Sequence, residues 1–149
     1  MRWTGVQPGS SVARRLEWAR FTHEQAARGL GCYFVVTVDE EVAGAADVRL
    51  VDREDPRIGE LGYLLAAPFR GRGVMSSALS LLVEWSFAGP PRLERVQALV
   101  HPDNEGSSAV LARLGFVCEG LLRSFRAAGP GRREDREMWS LLPIDWRAS

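Results

Sequence analysis

Hydrophobic and polar positions along the chain follow two different periods, which predict strands in some segments and helices in others. Apolar runs rich in β-branched and aromatic residues, bounded by Gly, Pro or charged turns, are typical of strands. Six segments have this character: Tyr33–Val38, Val42–Val51, Ile58–Leu65, Arg95–Val100, Phe116–Arg126 and Arg133–Leu142. Helical spacing marks three others, which are a helix capped by Ser10 or Ser11 that ends near Gly29, then Met75–Phe87 and Ser107–Leu114.

The order of these elements is helix, three strands, helix, strand, helix and two strands. A strand, helix and strand in the middle of the chain indicate a crossover connection, so we expect a mixed α/β fold. The chain has 149 residues, enough for a single domain with one core, and we expect residues 1–149 to form that domain. On the second helix, helical spacing predicts a buried face made of Val74, Ala78, Leu82 and Trp85.

The composition of the chain argues against several classes of function, but it does not distinguish one class of enzyme from another. Hydrophobic residues make up 46% and charged residues 26% of the chain, and the formal net charge is zero. A neutral balance argues against a nucleic-acid partner, and no apolar run reaches the length needed to span a membrane. Cys32 and Cys118 have neither disulfide-framework nor metal-ligand spacing, so we expect reduced thiols, no metal and a cytoplasmic protein.

The stretch from Gly59 to Ser77 combines a strand, a glycine-rich turn and the start of a helix. Such a turn presents unpaired backbone amides in one small concavity, and the helix dipole adds positive character there. The site therefore favours an anion such as a pyrophosphate. A P-loop is excluded because the chain contains no lysine, and a dinucleotide fingerprint would require its third glycine where Ser76 stands.

Two motifs in this chain resemble signatures of the GNAT N-acetyltransferases, and in particular the RimJ/RimL-type branch. The first, Arg70-Gly71-Arg72-Gly73-Val74-Met75, is similar to the acetyl-CoA-binding pattern Gln/Arg-x-x-Gly-x-Gly/Ala, with Met75 as a departure in the last position. The second, Asn104-Glu105-Gly106-Ser107, resembles Asn-x-x-Ser/Ala and is followed by Gly115-Phe116. The resemblance covers roughly Tyr33 to Leu142, and it implies a mainly antiparallel mixed sheet with flanking helices.

What the resemblance implies for cofactor binding can be written residue by residue. The pyrophosphate of acetyl-CoA would lie at the glycine-rich turn, and the pantetheine would follow the strand before it, where that strand splays from Arg95–Val100. Asn104 would hold the pantetheine amide, and Ser107 would lie near the sulfur. The residues expected to bind acetyl-CoA are Leu64, Leu65, Arg70, Gly71, Arg72, Gly73, Val74, Met75, Ser76 and Asn104.

Acyl transfer to an amine also needs a proton acceptor and help for the departing thiolate. Glu60 on the central strand is the candidate base, with a solvated strand residue as the equal alternative. Ser107 is the second catalytic candidate, and a helix cap is its alternative reading. Leu111 stands where many family members carry a tyrosine acid, and it cannot donate a proton. For His101 we favour a structural role, and for Trp139, on the last strand, we favour a place in the core or on the sheet surface, with the wall of the acceptor site as the alternative.

The amine acceptor is the part of the reaction that the sequence constrains least. RimJ/RimL-type resemblance implies a protein N-terminal α-amine, whereas similar sequences also acetylate amino sugars, antibiotics and other small amines. A non-catalytic acyl-CoA-binding domain is the alternative from another class, and a homodimer is left open. The family usually begins with a strand and a helix ahead of the part matching Arg2-Trp3, and we expect this sequence to be a short variant, a truncated chain or one with a late start site. We therefore expect Tyr33–Val38 to lie at a sheet edge.

Overall fold

The structure is a computed structural model, and it describes residues 12–52 and 54–146, with side chains from residue 20 onward. The predicted cap at Ser10 or Ser11 lies outside the described residues. The elements are α1 (Val12–Ala27), β1 (Gly31–Val38), β2 (Glu41–Leu50), β3 (Ile58–Leu65), a 3-10 turn (Ala67–Phe69), α2 (Val74–Ala88), β4 (Arg95–Val100), α3 (Glu105–Arg113), β5 (Val117–Gly129) and β6 (Arg132–Leu141).

The strands form one six-stranded sheet in the order β1-β2-β3-β4-β6-β5. Only β3 and β4 pair in parallel, because α2 carries the chain back across the sheet between them; the other neighbours are antiparallel. The predicted mixed, mainly antiparallel α/β fold is confirmed. Within the described part of the chain, β1 lies at one edge of the sheet, as predicted.

Helix α2 packs on the sheet through a face that differs from the predicted one. Only Leu82 of the predicted set is buried, and the other buried members of this helix are Met75, Leu79, Val83 and Ser86. The predicted face lies at a different angle about the helix axis from the buried face. The two were confused because the helix carries two sets of apolar residues at helical spacing. Trp85 belongs to that second face, which turns towards β1, and its ring meets Phe34 edge-on with centroids 5.7 Å apart.

The pairing of β3 with β4 stops halfway along both strands. The last partners are Leu61 and Ala98, although β3 continues to Leu65 and β4 to Val100. Beyond this point β3 stays paired with β2, and β4 stays paired with β6. The two central strands therefore splay apart in the middle of the sheet, where unpaired backbone faces an opening. No helix among residues 12–52 and 54–146 is long and apolar enough to cross a membrane.

Candidate active site

The glycine-rich turn between β3 and α2 presents a row of backbone donors. Gly71 and Gly73 adopt left-handed conformations, with φ of 71° and 77°. Within the described residues, the amides of residues 71–76 donate to no backbone carbonyl, and the first bond of the helix is from Ser77 to Gly73. No acidic side chain lies in the first turn of α2. These features suit an anion at the helix N-terminus.

The two arginines of the turn have different orientations. Arg70 folds back along the strand, and its Nε donates to the carbonyl of Leu65 over 3.1 Å. Arg72 points the other way, with its guanidinium 5.9 Å from the centre of the Phe69 ring, and it lines the groove between α2 and β1. Arg70 therefore faces the predicted cofactor side, whereas the side chain of Arg72 does not.

A cavity of about 660 Å³ extends from the turn to the splayed end of β3, and we refer to it as the cofactor cavity. Most of the residues expected to bind acetyl-CoA line it: Leu64, Leu65, Arg70, Gly71, Gly73, Val74, Met75, Ser76 and Asn104. Met75 is 94% buried by its packing in the core, so it has little surface to offer to a ligand. Ser107 lines the same cavity, whereas Glu60 and Arg72 do not.

The charge of the cofactor cavity is one-sided. Its described lining includes Arg70 and Arg113 and contains no carboxylate. Arg113, in the last turn of α3, was not among the predicted residues, because only the packing of α3 beside the turn brings it to this wall. Two guanidinium groups and a set of unpaired amides make the cavity suited to a polyanionic ligand.

Asn104 and Ser107 form a cap at the start of α3. The Asn104 carbonyl oxygen Oδ1 accepts from the Ser107 amide at 3.3 Å, and Asn104 Nδ2 donates to the Ser107 hydroxyl at 3.0 Å. Ser108 points away, and its hydroxyl lies 3.3 Å from a carboxylate oxygen of Glu137. With Asn104 as its cap, the helix begins at Glu105, two residues earlier than predicted. The cap also fixes the direction of the Ser107 side chain.

A second cavity of about 230 Å³ lies on the other side of the splay, and we call it the acceptor cavity. Its walls come from α1, β1, β2, β3, β4 and the β5–β6 hairpin. Glu60, the candidate base, lines this cavity. Arg126 and Arg136 line the wall formed by the hairpin, and His101 lies between that wall and β4.

Glu60 shares this cavity with a second carboxylate that sequence reasoning missed. Arg49 lies between the two: its Nε is 2.8 Å from Asp47 Oδ2, and its terminal nitrogen is 3.1 Å from Glu60 Oε1. Burial raises the pKa of Asp47 to about 6, and the charge of Arg49 opposes this only in part. The signal for Asp47 that the sequence offered was a charged residue within the otherwise mainly apolar segment that forms β2.

The cofactor and acceptor cavities meet at four residues, which are Tyr63, Leu64, Asn104 and Ser107. The Tyr63 phenol oxygen is fully buried at this junction. Burial raises the pKa of Tyr63, and the neighbouring Ser107 hydroxyl acts in the opposite direction. The predicted tyrosine position, Leu111, is completely buried in the core, so Tyr63 on β3 is the hydroxyl-bearing aromatic residue at this point.

Two further residues considered from the sequence differ in their relation to the site. His101 Nδ1 accepts from the Asp103 amide at 3.2 Å, which is a structural role of the kind we favoured, and the ring also lines the acceptor cavity. Trp139, considered as a wall of the acceptor site, is not among the residues that line it; its indole N–H donates to Glu137 at 2.9 Å.

Comparison with known proteins defines the class. The family model described as "Acetyltransferase (GNAT) domain" matches residues 1–117. An uncharacterized N-acetyltransferase p20 of Bacillus licheniformis is 32% identical over 147 residues, which is 97% of this chain and 81% of that protein. The [ribosomal protein uS5]-alanine N-acetyltransferase of Escherichia coli is 29% identical over 108 residues, or 72% of this chain and 55% of the relative.

Solved structures agree with the sequence comparison. Mycobacterium smegmatis RimJ, determined in complex with a CoA-disulfide, matches with a TM-score of 0.83 and 26% identity, covering 96% of this chain and 70% of that one. The chain belongs to the GNAT acetyltransferase domain family. It is an acyltransferase of the N-acetyltransferase type, with relatives that include ribosomal-protein N-acetyltransferases.

Proposed function

We propose that the protein transfers the acetyl group of acetyl-CoA to the N-terminal α-amine of a protein. The observation that supports this most is the meeting of two unlike cavities at the splay of β3 and β4. The first has arginines and unpaired amides with no carboxylate in its described lining, and the second brings two carboxylates together with Arg49, Arg126 and Arg136. A polyanionic donor and a cationic amine entering from opposite sides would meet at Tyr63 and Ser107.

The cofactor cavity favours one direction for the donor. Its phosphates would lie against the amides of residues 71–76, with Arg70 and Arg113 supplying charge. Its pantetheine would pass Leu64 and Leu65, and Asn104 would bind an amide of that chain. The thioester would then reach the junction beside Ser107, where polar groups can stabilise the charge of the reacting carbonyl.

Three considerations support an α-amine as the acceptor. A relative acts on the alanine of ribosomal protein uS5. The acceptor cavity, at about 230 Å³, is below the ~300 Å³ at which ordinary small-molecule sites begin, so it suits the end of a longer chain. An α-amine also loses its proton near pH ~7.7–8.0, whereas a lysine needs ~10.4, so the α-amine requires less help.

The departing thiolate would form next to two hydroxyl groups. Ser107 and Tyr63 lie beside each other there, and both line the cofactor and acceptor cavities. The raised pKa of Tyr63 keeps the phenol protonated at neutral pH. It can therefore donate a hydrogen bond to sulfur as the C–S bond breaks, while the Ser107 hydroxyl supports the phenol.

The function can be tested with acetyl-CoA and a matched set of acceptors. The set comprises a peptide with an N-terminal alanine, the same peptide with a formylated α-amine and an internal lysine, and a panel of amino sugars and polyamines. Mass spectrometry should be used, because Cys32 and Cys118 are free thiols and would react with thiol reagents.

We expect acetylation of the free α-amine only. Turnover confined to small amines would replace the proposed acceptor, and CoA binding without any turnover would favour a binding domain. We also propose that the protein forms a homodimer, which light scattering would test, and that it is cytoplasmic, which cell fractionation would test.

A further inference from the structure

The two carboxylates of the acceptor cavity have different surroundings because of the register of β2 on β3. Arg49 is the direct partner of Glu60, and Asp47 is the direct partner of Gly62. Glu60 therefore faces a guanidinium across the strands, at 3.1 Å. Asp47 instead faces a residue without a side chain, at the first position of β3 beyond its pairing with β4.

Gly62 provides the space that the Asp47 carboxylate occupies. A Cβ placed on Gly62 would lie 2.6 Å from one carboxylate oxygen of Asp47 and 3.0 Å from the other, closer than side chains approach one another. The carboxylate thus lies across the face of β3, directly below the opening between β3 and β4. Any other residue at position 62 would displace it.

The contact with Arg49 leaves Asp47 only partly engaged. Asp47 Oδ2 and Arg49 Nε are 2.8 Å apart, yet neither atom takes part in a well-aligned hydrogen bond within the described residues. The Asp47 side chain is 16% exposed, and it lines the cavity that an acceptor would enter. Oδ2 is buried against Arg49, so a donor from the cavity would approach the other oxygen, Oδ1, of this partly exposed side chain.

We propose that Asp47, rather than Glu60, takes the proton of the acceptor ammonium, and that Gly62 makes this possible by leaving room for its carboxylate. The inference rests on the proposed function. In this arrangement Glu60 is a positioning residue, since it holds Arg49 from the other side and so limits how strongly Arg49 neutralises Asp47.

The proton balance of the step is complete. An N–H bond of the ammonium breaks, its proton moves to an oxygen of Asp47, and the electron pair stays on nitrogen. That nitrogen forms the C–N bond, the C–S bond breaks, and sulfur keeps the electron pair. The second proton lost by nitrogen balances the one gained by the thiolate, and Asp47 returns its proton to solvent through the acceptor cavity.

The charges around Asp47 are consistent with this role. Burial is the largest influence and raises its pKa to about 6, Arg49 lowers the pKa, and Glu60 raises it. Tyr33 on β1 is its cross-strand partner, and α1 contributes only uncharged residues to the cavity. The titratable or charged groups on the facing wall are His101, Arg126 and Arg136.

A carboxyl group with a pKa near 6 is well matched to an α-amine. Proton transfer from an α-amine would be unfavourable by about 10²-fold, against about 10⁴-fold for an ordinary carboxylate or for a lysine donor. The same carboxylate thus explains why the α-amine is the favoured acceptor and the lysine ammonium is not.

The test is the pH dependence of kcat/KM for peptide acetylation in Asp47→Asn, Glu60→Gln and Gly62→Ala, with Asp39→Asn as control. Asp39 lies in the exposed β1–β2 turn at φ 49°, a conformation that asparagine also tolerates. For the unmodified protein we expect kcat/KM to rise along an acid limb near pH 6, where Asp47 ionises, and to show no fall near pH ~8, where the amine itself ionises.

Asp47→Asn should lower kcat/KM at pH 7 by about 10²–10⁴-fold and leave a single rise with the ionisation of the amine. Glu60→Gln should keep the acid limb and move it to lower pH, with a loss below about tenfold, because Asp47 then loses a negative neighbour. Gly62→Ala should resemble Asp47→Asn, with unchanged affinity for CoA by calorimetry and an unchanged circular dichroism spectrum.

The reverse pattern, in which Glu60→Gln removes the acid limb and Asp47→Asn keeps it, would overturn the inference and leave Glu60 as the base. An unmodified protein that acetylates no amine would instead overturn the proposed function. Carbon NMR of the Asp47 carboxyl provides a readout that does not depend on any variant. Titration near pH 6 is expected, and a value below about 5 contradicts the inference.

Discussion

The hydroxyl groups of Tyr63 on β3 and Ser107 on α3 lie beside each other at the point where the cofactor and acceptor cavities meet. The two residues are distant in sequence, and the capped start of α3 brings them together. Because Asn104 Nδ2 donates to the Ser107 oxygen, the Ser107 proton is free to turn towards Tyr63 or towards a sulfur atom.

Tyr63→Phe should lower kcat by about tenfold to a hundredfold with acetyl-CoA, because sulfur would leave without a hydrogen-bond donor. The loss should shrink with an acetyl thioester of a more acidic thiol, which needs less help to leave. Steady-state rates with the two donors measure this difference. Tyr33→Phe, which removes another phenol from the acceptor cavity, is the matched control. An equal loss with both donors would argue against contact with the leaving group.

Gly73→Val should weaken CoA binding by about tenfold or more, and Arg72→Ala should weaken it much less. A β-branched residue cannot hold φ at 77° without strain, so the amides of the turn would shift together. The Arg72 side chain lies over Phe69, away from the cofactor cavity. Calorimetry with CoA compares the two variants.

The control for strain is Gly131→Val in the β5–β6 turn. Gly131 has a similar φ of 66°, and no atom lies within 4 Å of the position a Cβ would take at either glycine. The Gly131 variant should lose comparable stability, roughly 1–2 kcal/mol, and keep its affinity for CoA. Equal affinity losses in Gly73→Val and Arg72→Ala would contradict the placement of the phosphates at the amides.

Ser107→Ala should reduce kcat by about threefold to tenfold, whereas Ser108→Ala should leave kcat nearly unchanged. Ser107 faces both cavities, and Ser108 faces Glu137 on β6. Rates should be measured alongside thermal unfolding, because Ser107 also takes part in the cap of α3. A larger effect for Ser108 in a folded protein would mean that the helix has a different register.

Asp47→Asn should make the protein more stable at pH 7.5, by about 1–3 kcal/mol. The pKa of Asp47 is raised from 3.8 to about 6, so the folded state binds more protons than the unfolded state between these values. The stability of the unmodified protein therefore falls as the pH rises from about 4 to about 6 and stays lower above that range. Urea unfolding at pH 4.5 and pH 7.5 tests the sign.

The asparagine variant should lack most of this pH dependence, since it cannot ionise. Its gain should be small at pH 4.5, where Asp47 is already mostly protonated in the folded protein. Asp39→Asn serves again as the control and should follow the unmodified protein at both pH values. A variant that is less stable at pH 7.5 would show that the Arg49 ion pair outweighs the burial of the carboxylate.

The order of the elements and the cofactor turn could be predicted from the sequence because their signals are local. Period-two and helical spacing mark the strands and helices, and the positions of Gly71, Gly73 and Asn104 follow from short motifs. The bounds of β3 and β4 are as predicted, and the other elements differ by one to three residues at one or both ends; β1, for example, starts at Gly31 rather than Tyr33. The ends of exposed strands have few neighbouring residues whose packing would fix the residue at which the strand begins or ends.

Asp47 and Tyr63 escaped prediction because their importance depends on contacts between distant segments. The register of β2 on β3 places Asp47 against Gly62, and no feature of either strand alone indicates that register. The side chain of Arg72 was misplaced for a similar reason: the position of Phe69, in the 3-10 turn before it, decides which way the guanidinium points.

The two cavities differ in how their lining residues are distributed along the sequence. The residues that line the cofactor cavity lie within two segments, 63–76 and 104–113, whereas the walls of the acceptor cavity come from segments scattered from α1 to the β5–β6 hairpin. Mutation can therefore alter acceptor choice codon by codon while the donor-binding segments are inherited unchanged. A directed-evolution library randomised at Phe21, Ala45 and Arg126 would explore new acceptors and retain every residue that lines the donor side.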